Sequence, residues 1–317
     1  MSHQARSNRG TTTALIAGLV VLAVIVAVLA FIALNQSPAA PAEQPSASAS
    51  VPEPSATLNA DLLDNRLTVL VVGTDVNASR AAAGEAANTD SLIVASIGAD
   101  QSKMTLVSLP RDTTDIPMPD GSTWQRKVNA IEAETNVTTL VGAISTLFDV
   151  PIDHYVQVDM DDLVALVDAV GGVDVNPDKP LADPKVQLDI PAGPQTLDGA
   201  HALAYSRTRV DTDYGRAARQ QEVLLDLVSK LVDPKADVDL SSLLDGLHSL
   251  KTDLPLDDLP TLVEIARRAQ SAEVTRQVLE PPEFITFEGD RGDGRGYILE
   301  PDIDAIRRFA QQHVGSE

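Results

Sequence analysis

Twenty-one consecutive residues, Ala14 to Leu34, contain neither a charge nor a proline. At about 1.5 Å of rise per residue, a helix of that length crosses the roughly 30 Å hydrocarbon core of a bilayer. The stretch therefore reads as a transmembrane helix. Arg6 and Arg9 precede it, whereas Asn35 to Leu58 holds no Lys or Arg. The positive-inside bias then puts residues 1–13 in the cytoplasm and everything after the span outside the cell membrane. A cleaved signal peptide is the alternative, with Ser37-Pro38-Ala39-Ala40 as its cleavage region, but an apolar signal core is only about 7–15 residues long.

Residues 35–58 form a Pro/Ala/Ser-rich segment, with Pro38, Pro41, Pro45, Pro52 and Pro54 spaced through it. Such a composition buries too little apolar surface to offset ordering entropy, so it reads as an extracytoplasmic linker. Residues 59–317 are left as one folded domain. The chain has 24 Lys+Arg against 46 Asp+Glu, a net charge of −22. That argues against a nucleic-acid partner, which would need a basic surface. Cysteine is absent, and the five histidines have no metal-ligand spacing, which removes disulfides, thiolate chemistry and zinc. A hard cation held by oxygen ligands is still compatible with this composition.

Short apolar runs at Leu67–Val72, Leu92–Ile97, Met104–Leu109 and His154–Val158 read as buried strands. Amphipathic periodicity predicts helices near Thr138–Phe148, Asp162–Val170, Gly199–Tyr205, Gly215–Val232 and Leu259–Ala269. A last strand is expected at Phe284–Phe287, then a glycine-rich turn at Asp290–Gly296 and a last helix at Ile303–Ala310. Asp159 to Asp162 reads as the capping region of the helix that Gly171-Gly172 ends. Strands interleaved with helices predict an α/β sandwich.

Two groups of residues carry chemistry. Asp75 follows the first strand and Asp90 precedes the second. If the first three strands are antiparallel neighbours, Asp75, Asp90 and Arg111 meet at one sheet edge. Paired carboxylates there suit a magnesium ion completed by waters and substrate phosphates; turn-capping aspartates are the alternative. The second group is Arg207, Arg209, Arg216 and Arg219, four arginines within thirteen residues of an acidic chain. Arginine forks match phosphate oxygens, and an R-x-R spacing in extended backbone sends both forks to one side. In the helix after Gly215, stepping back from the stripe Val223, Leu224, Leu227, Val228, Leu231 reaches Gln220 and Arg216, which extend the buried face near an anion-favouring helix start. Salt bridges from the arginines to Asp211 and Asp213 are the competing account.

The blocks VVGTD (71–75), TDSL (89–92), SLPRDT (108–113), KVNAI (127–131), DHYVQVDMDDLVALVDAVGGVDV (153–175), LDGAHALAYSRTR (197–209) and DYGRAARQQEVL (213–224) occur in this order. Together they resemble the LytR-CpsA-Psr family. The resemblance implies a single three-layer α/β sandwich with a central mixed sheet, behind one N-terminal transmembrane helix. It implies a magnesium-assisted phosphotransferase that moves a glycopolymer from a polyprenyl-pyrophosphate carrier to a peptidoglycan sugar hydroxyl. By the same resemblance Asp75 and Asp90 serve the metal, and Arg111, Lys127, Arg207, Arg209, Arg216 and Gln220 bind the pyrophosphate, with Asp75, Asp90 and Arg111 at the reaction centre. Some members carry a second arginine soon after the one matching Arg111; here Thr113, Thr114 and Asp115 follow, which leaves Arg126 or Lys127 to compensate. Two other functions are carried alongside: a pyrophosphatase, and a non-catalytic membrane regulator or scaffold.

Overall fold

A computed structural model describes residues 58–75, 88–232, 238–239, 250–255 and 258–315. The expected cytoplasmic tail, the span Ala14–Leu34 and the linker as far as Thr57 lie outside the described residues. Among the described residues no helix is long and apolar enough to cross a membrane.

In chain order the strands are β1 (Leu67–Thr74), β2 (Thr89–Ile97), β3 (Lys103–Ser108), β4 (Ile116–Pro117), β5 (Thr123–Trp124), β6 (His154–Val158), β7 (Val173–Val175), β8 (Leu181–Asp183), β9 (Leu188–Ile190), β10 (Gln195–Leu197), β11 (Lys251–Thr252), β12 (Glu273–Val278), β13 (Ile285–Asp290) and β14 (Tyr297–Pro301). The helices are α1 (Ala60–Leu63), α2 (Ile131–Glu134), α3 (Val137–Phe148), α4 (Met160–Ala169), α5 (Gly199–Arg207), α6 (Asp213–Val232), α7 (Leu259–Arg268) and α8 (Ile303–His313). A six-stranded sheet runs β11-β6-β1-β2-β3-β12. It is mixed: β1 is parallel to β6 and β3 to β12, while β1–β2 and β2–β3 are antiparallel.

The continuous apolar runs are explained by burial on both faces of this sheet, since alternate side chains point to opposite sides. Leu67, Val69, Val71, Ile93, Ala95 and Ile97 enter one core, which α4 closes with Leu166 and Val167, α6 with Val223, Leu227 and Val228, and α7 with Leu262 and Ile265. Leu70, Val72, Leu92 and Val94 enter the other, against Leu140, Ile144 and Leu147 of α3 and Ile306 and Ala310 of α8. The result is helix, sheet, helix in three layers. At Asp159 a capping box forms with Asp162, and the helix it opens starts at Met160.

Both edge strands of the sheet lie outside the expected set, and β11 is only two residues long. β12, with sequence Glu-Val-Thr-Arg-Gln-Val, is an edge strand whose residues are half-buried or exposed, so it lacks the apolar run that marks the central strands.

Candidate functional site

The antiparallel pairing of β1 and β2 brings Gly73 opposite Ser91 and Thr74 opposite Thr89. A Cβ on Gly73 would stand 2.9 Å from the Ser91 Cβ, so glycine is what allows the two strands to close at this edge. Just beyond it, the Asp75 N–H donates to the Asn88 carbonyl at 3.0 Å. The Asn88 N–H in turn donates to Asp75 Oδ1 at 2.9 Å. Asp90 is ion-paired with Arg111, which enters from the end of β3. The edge at which Asp75, Asp90 and Arg111 were expected to meet therefore exists.

Asp75 and Asp90 both line a cavity of about 720 Å³ on the α4/α6 side of the sheet. Its interior is apolar, with Val71, Ile93, Leu163, Leu166, Val223, Leu224 and Leu227 among the lining residues. Its rim is polar: besides the two aspartates it includes the cations Arg207, Arg209 and Arg216 and the neutral amide of Gln220. Helical periodicity explains the join, because Arg216 and Gln220 continue the stripe of α6 that supplies Val223, Leu224 and Leu227.

The helix begins earlier than expected, at Asp213. Thr212 caps it, its hydroxyl accepting the Gly215 N–H at 2.9 Å and its carbonyl the Arg216 N–H at 3.1 Å. Asp213 then holds two rim arginines, Arg216 Nη2 at 2.8 Å and Arg209 Nε at 3.2 Å. Burial pushes the Arg216 guanidinium below the ordinary arginine value; Asp213 opposes this, and the positive charges of Arg209 and Arg111 add to it. Arg216 is 4% exposed, and its Nε–H has no hydrogen-bond partner. A buried, unpaired guanidinium N–H is costly unless an acceptor reaches it. The Ser206 hydroxyl, which also lines the cavity, is buried without a partner too. Ser206 escaped the sequence reading because it gave no signal beyond its place between Tyr205 and Arg207.

Arg207 is the last residue of α5, with Thr208 as the extended cap. The expected extended R-x-R geometry is thus replaced by a helix end, yet both forks reach the rim. Arg207 is exposed, and no hydrogen bond or ion pair holds its guanidinium among the described residues.

Arg219 has a different place. It donates from Nε to the Tyr205 carbonyl at 3.0 Å and from Nη2 to the Thr208 carbonyl at 2.5 Å, and it pairs with Asp211 at 2.8 Å. The salt-bridge account holds for this arginine, which is buried and does not line the cavity. Gly215 belongs to the same arrangement, since a Cβ there would meet Asp211 Oδ2 at 2.5 Å.

Two expected phosphate ligands do not line the cavity. Arg111 lies behind Asp90; burial opposes its charge, but Asp90, Asp112 and Asp213 outweigh that and hold it above the ordinary arginine value. Lys127 is paired with Asp112 at 2.7 Å, the far neighbour of Arg111. Arg126 does not replace the missing second arginine either, because it is paired with Glu134 and stacked 4.4 Å from the Trp124 ring centre. Lys185, on the loop after β8, is a lining cation that the sequence reading overlooked.

For magnesium, the donor set is two hard carboxylates at one cavity mouth. Among the described residues no group of three or more His, Cys, Asp or Glu is arranged as a metal cage. Two carboxylates fit the ion only where substrate phosphates and water complete its octahedron, which is its usual mode of binding.

A family model described as the LytR_cpsA_psr family matches residues 31–308. The polyisoprenyl-teichoic acid–peptidoglycan teichoic acid transferase TagU of Enterococcus faecalis is 36% identical over 180 residues, which cover 55% of this chain and 58% of that protein. The cell wall biosynthesis protein LcpA of Corynebacterium glutamicum is 28% identical over 268 residues, covering 74% of this chain and 50% of that protein. The chain thus spans about half the length of the curated relatives it matches. The crystal structure of B. subtilis TagV superposes with a TM-score of 0.64 at 23% identity, covering 80% of this chain and 99% of that one, which is a likeness of fold.

Proposed function

The chain belongs to the LytR-CpsA-Psr family, and from that membership we propose that it transfers a glycopolymer from a polyprenyl-pyrophosphate carrier to a sugar hydroxyl of peptidoglycan. The observation that carries this reading is a single cavity with an apolar interior and an arginine-bearing rim, on which the Arg216 Nε–H is buried without an acceptor. An amphiphile with a long hydrocarbon tail and a polyanionic head matches both halves at once. A teichoic acid transferase and a cell wall biosynthesis protein among its relatives point the same way.

In this mechanism the tail lies against Val71, Leu163, Leu224 and Leu227, and Arg207, Arg209, Arg216 and Gln220 hold the pyrophosphate. The acceptor oxygen attacks the phosphorus attached to the glycan. A new P–O bond forms, the bridging P–O bond breaks, and polyprenyl phosphate leaves with the electron pair. Its charge is stabilised by guanidinium groups that line the cavity, of which Arg209 and Arg216 are already held in place by Asp213. The hydroxyl proton passes to a rim carboxylate. Asp75 and Asp90 would hold magnesium, which supplies neutralisation of phosphate charge when bound.

Mass spectrometry of lipid extracted with the detergent-solubilised full chain tests the proposal. A polyprenyl mono- or pyrophosphate is the expected species. Copurifying phospholipid alone, together with unchanged envelope assembly in an Arg216→Lys strain, would instead support the regulator or scaffold reading. Release of free phosphorylated polymer in the presence of acceptor glycan would identify a pyrophosphatase.

A further inference from the structure

Resting on that transfer reading, we propose that Tyr214, Glu288 and Tyr297 form the acceptor subsite, a surface that seats an uncharged sugar of the acceptor glycan beside the mouth of the cavity. None of the three lines the cavity. Their position follows from a run of contacts outward from it: Asp90 lines the cavity, Arg111 pairs with Asp90, and the main chain next to Arg111 carries β14. The Leu299 N–H donates to the Asp112 carbonyl at 3.1 Å, and the Thr114 N–H to the Leu299 carbonyl at 2.9 Å. Tyr297 is thus two residues from an anchor on the reaction centre's own loop. From the other side comes Tyr214, which follows the Asp213 that holds Arg209 and Arg216.

Glu288 ties the two sides together. One carboxylate oxygen accepts the Tyr297 hydroxyl, and the other accepts the Tyr214 hydroxyl at 3.2 Å. Both hydroxyls are committed as donors, so their oxygens and the remaining lone pairs of the exposed Glu288 are left as acceptors. The Tyr297 ring is pinned by its hydroxyl yet 50% exposed, an open aromatic face held in one orientation. Fixed aromatic faces with polar tips are costly to leave in water and efficient as contact surfaces.

Charge selects the ligand. Asp112 and Asp213 lie near Tyr297, and Glu280 near Tyr214; together with Glu288 they hold both phenols above the ordinary tyrosine value after burial has already raised them. Asp112 and Asp213 are paired with Lys127, Arg209 and Arg216, so the exposed Glu288 is the carboxylate left to a ligand, and it accepts from hydroxyls but repels phosphate. A sugar suits this surface: its C–H face stacks on the ring, and its hydroxyls donate to Glu288. Direction also agrees. Attacking and leaving oxygens must be roughly in line at phosphorus, and with the tail in the cavity the acceptor has to arrive from outside the mouth, where the β13–β14 hairpin stands.

The test titrates the detergent-solubilised full chain with a β-1,4-linked N-acetylglucosamine tetrasaccharide, and separately with a polyprenyl pyrophosphate. Tyr297→Ala is expected to weaken tetrasaccharide binding by roughly tenfold or more, whereas Tyr297→Phe, which keeps the ring, stays within about threefold of native. Lipid affinity is expected to be the same in both variants. Equal weakening by the Phe and Ala variants identifies the cluster as a staple for the hairpin and overturns the subsite. So does unchanged tetrasaccharide affinity in Tyr297→Ala. A native chain that takes up the lipid but not the tetrasaccharide overturns the subsite alone, and one that takes up neither overturns the transfer reading as well.

Discussion

Arg216 Nη2 stands 2.8 Å from Oδ2 of Asp213, one turn earlier on the same helix, while the Arg216 side chain lines the cavity. Asp213 occupies one edge of the fork and leaves the Nε–H without a partner. The geometry presets a donor for an incoming anion, and it distinguishes arginine from lysine at this position.

Arg216→Lys should therefore fold but bind a polyprenyl pyrophosphate about ten- to a hundredfold more weakly, the value of a hydrogen bond to a charged group. Calorimetric titration of the solubilised chain measures this. Native affinity in the variant would show that the buried N–H has no part in binding.

Arg219 should behave in the opposite manner. Its removal leaves the Tyr205 and Thr208 carbonyls and the Asp211 carboxylate without their donor. Arg219→Met is expected to cost about 3–5 kcal/mol of stability, a fall in melting temperature of roughly 10 °C. At temperatures where the variant is folded, its affinity for the lipid should be close to native. A variant that melts like the native chain but has lost the lipid would reverse the two roles.

The Asp211–Arg219 contact also sets a pH dependence. Burial works against the Asp211 charge, but the Arg219 hydrogen bond and the Thr212 N–H outweigh it, so the carboxyl titrates below the ordinary aspartate value. A lowered folded value means that the stabilisation is complete above the unfolded value of about 3.9 and is lost as pH falls through the folded one. The melting-temperature gap between native chain and Asp211→Asn should be constant from about pH 7 to 5 and narrow below about pH 4. A gap that is the same at every pH would remove Asp211 titration as its cause.

Asp75 and Asp90 give a metal prediction that does not depend on turnover. Mg²⁺ added with inorganic pyrophosphate should raise the melting temperature of the native chain by roughly 5–10 °C at saturating levels, because a ligand bound only by the folded state stabilises it. Asp75→Asn and Asp90→Asn should each abolish most of that rise. If both variants respond like the native chain, these aspartates are turn residues and not metal ligands.

Much of this architecture was legible in the residues. Strands buried on both faces must be apolar without alternation, which is why Leu67–Val72 and Leu92–Ile97 could be located. Helical period alone placed Arg216 and Gln220 above Val223, Leu224 and Leu227, because residues three and four apart share a face whatever the tertiary context. The edge strand β12 was not legible, since a strand exposed at a sheet margin has no need of an apolar run.

The division of labour among the cations was settled only by tertiary structure. Arg216 and Arg219 are three residues apart on one helix, and both are buried. Periodicity puts them on the same side of the helix but says nothing of what lies across from each. The packing of α5 against α6 puts the carbonyls of Tyr205 and Thr208 opposite Arg219, while the cavity opens opposite Arg216. Lys127 shows the same limit, because its pairing with Asp112 joins residues 15 positions apart through a loop that no local pattern encodes. A sequence specifies which face a side chain occupies through backbone geometry, but whether that side chain meets a carboxylate, a carbonyl or an open cavity is decided by elements brought together from elsewhere in the chain.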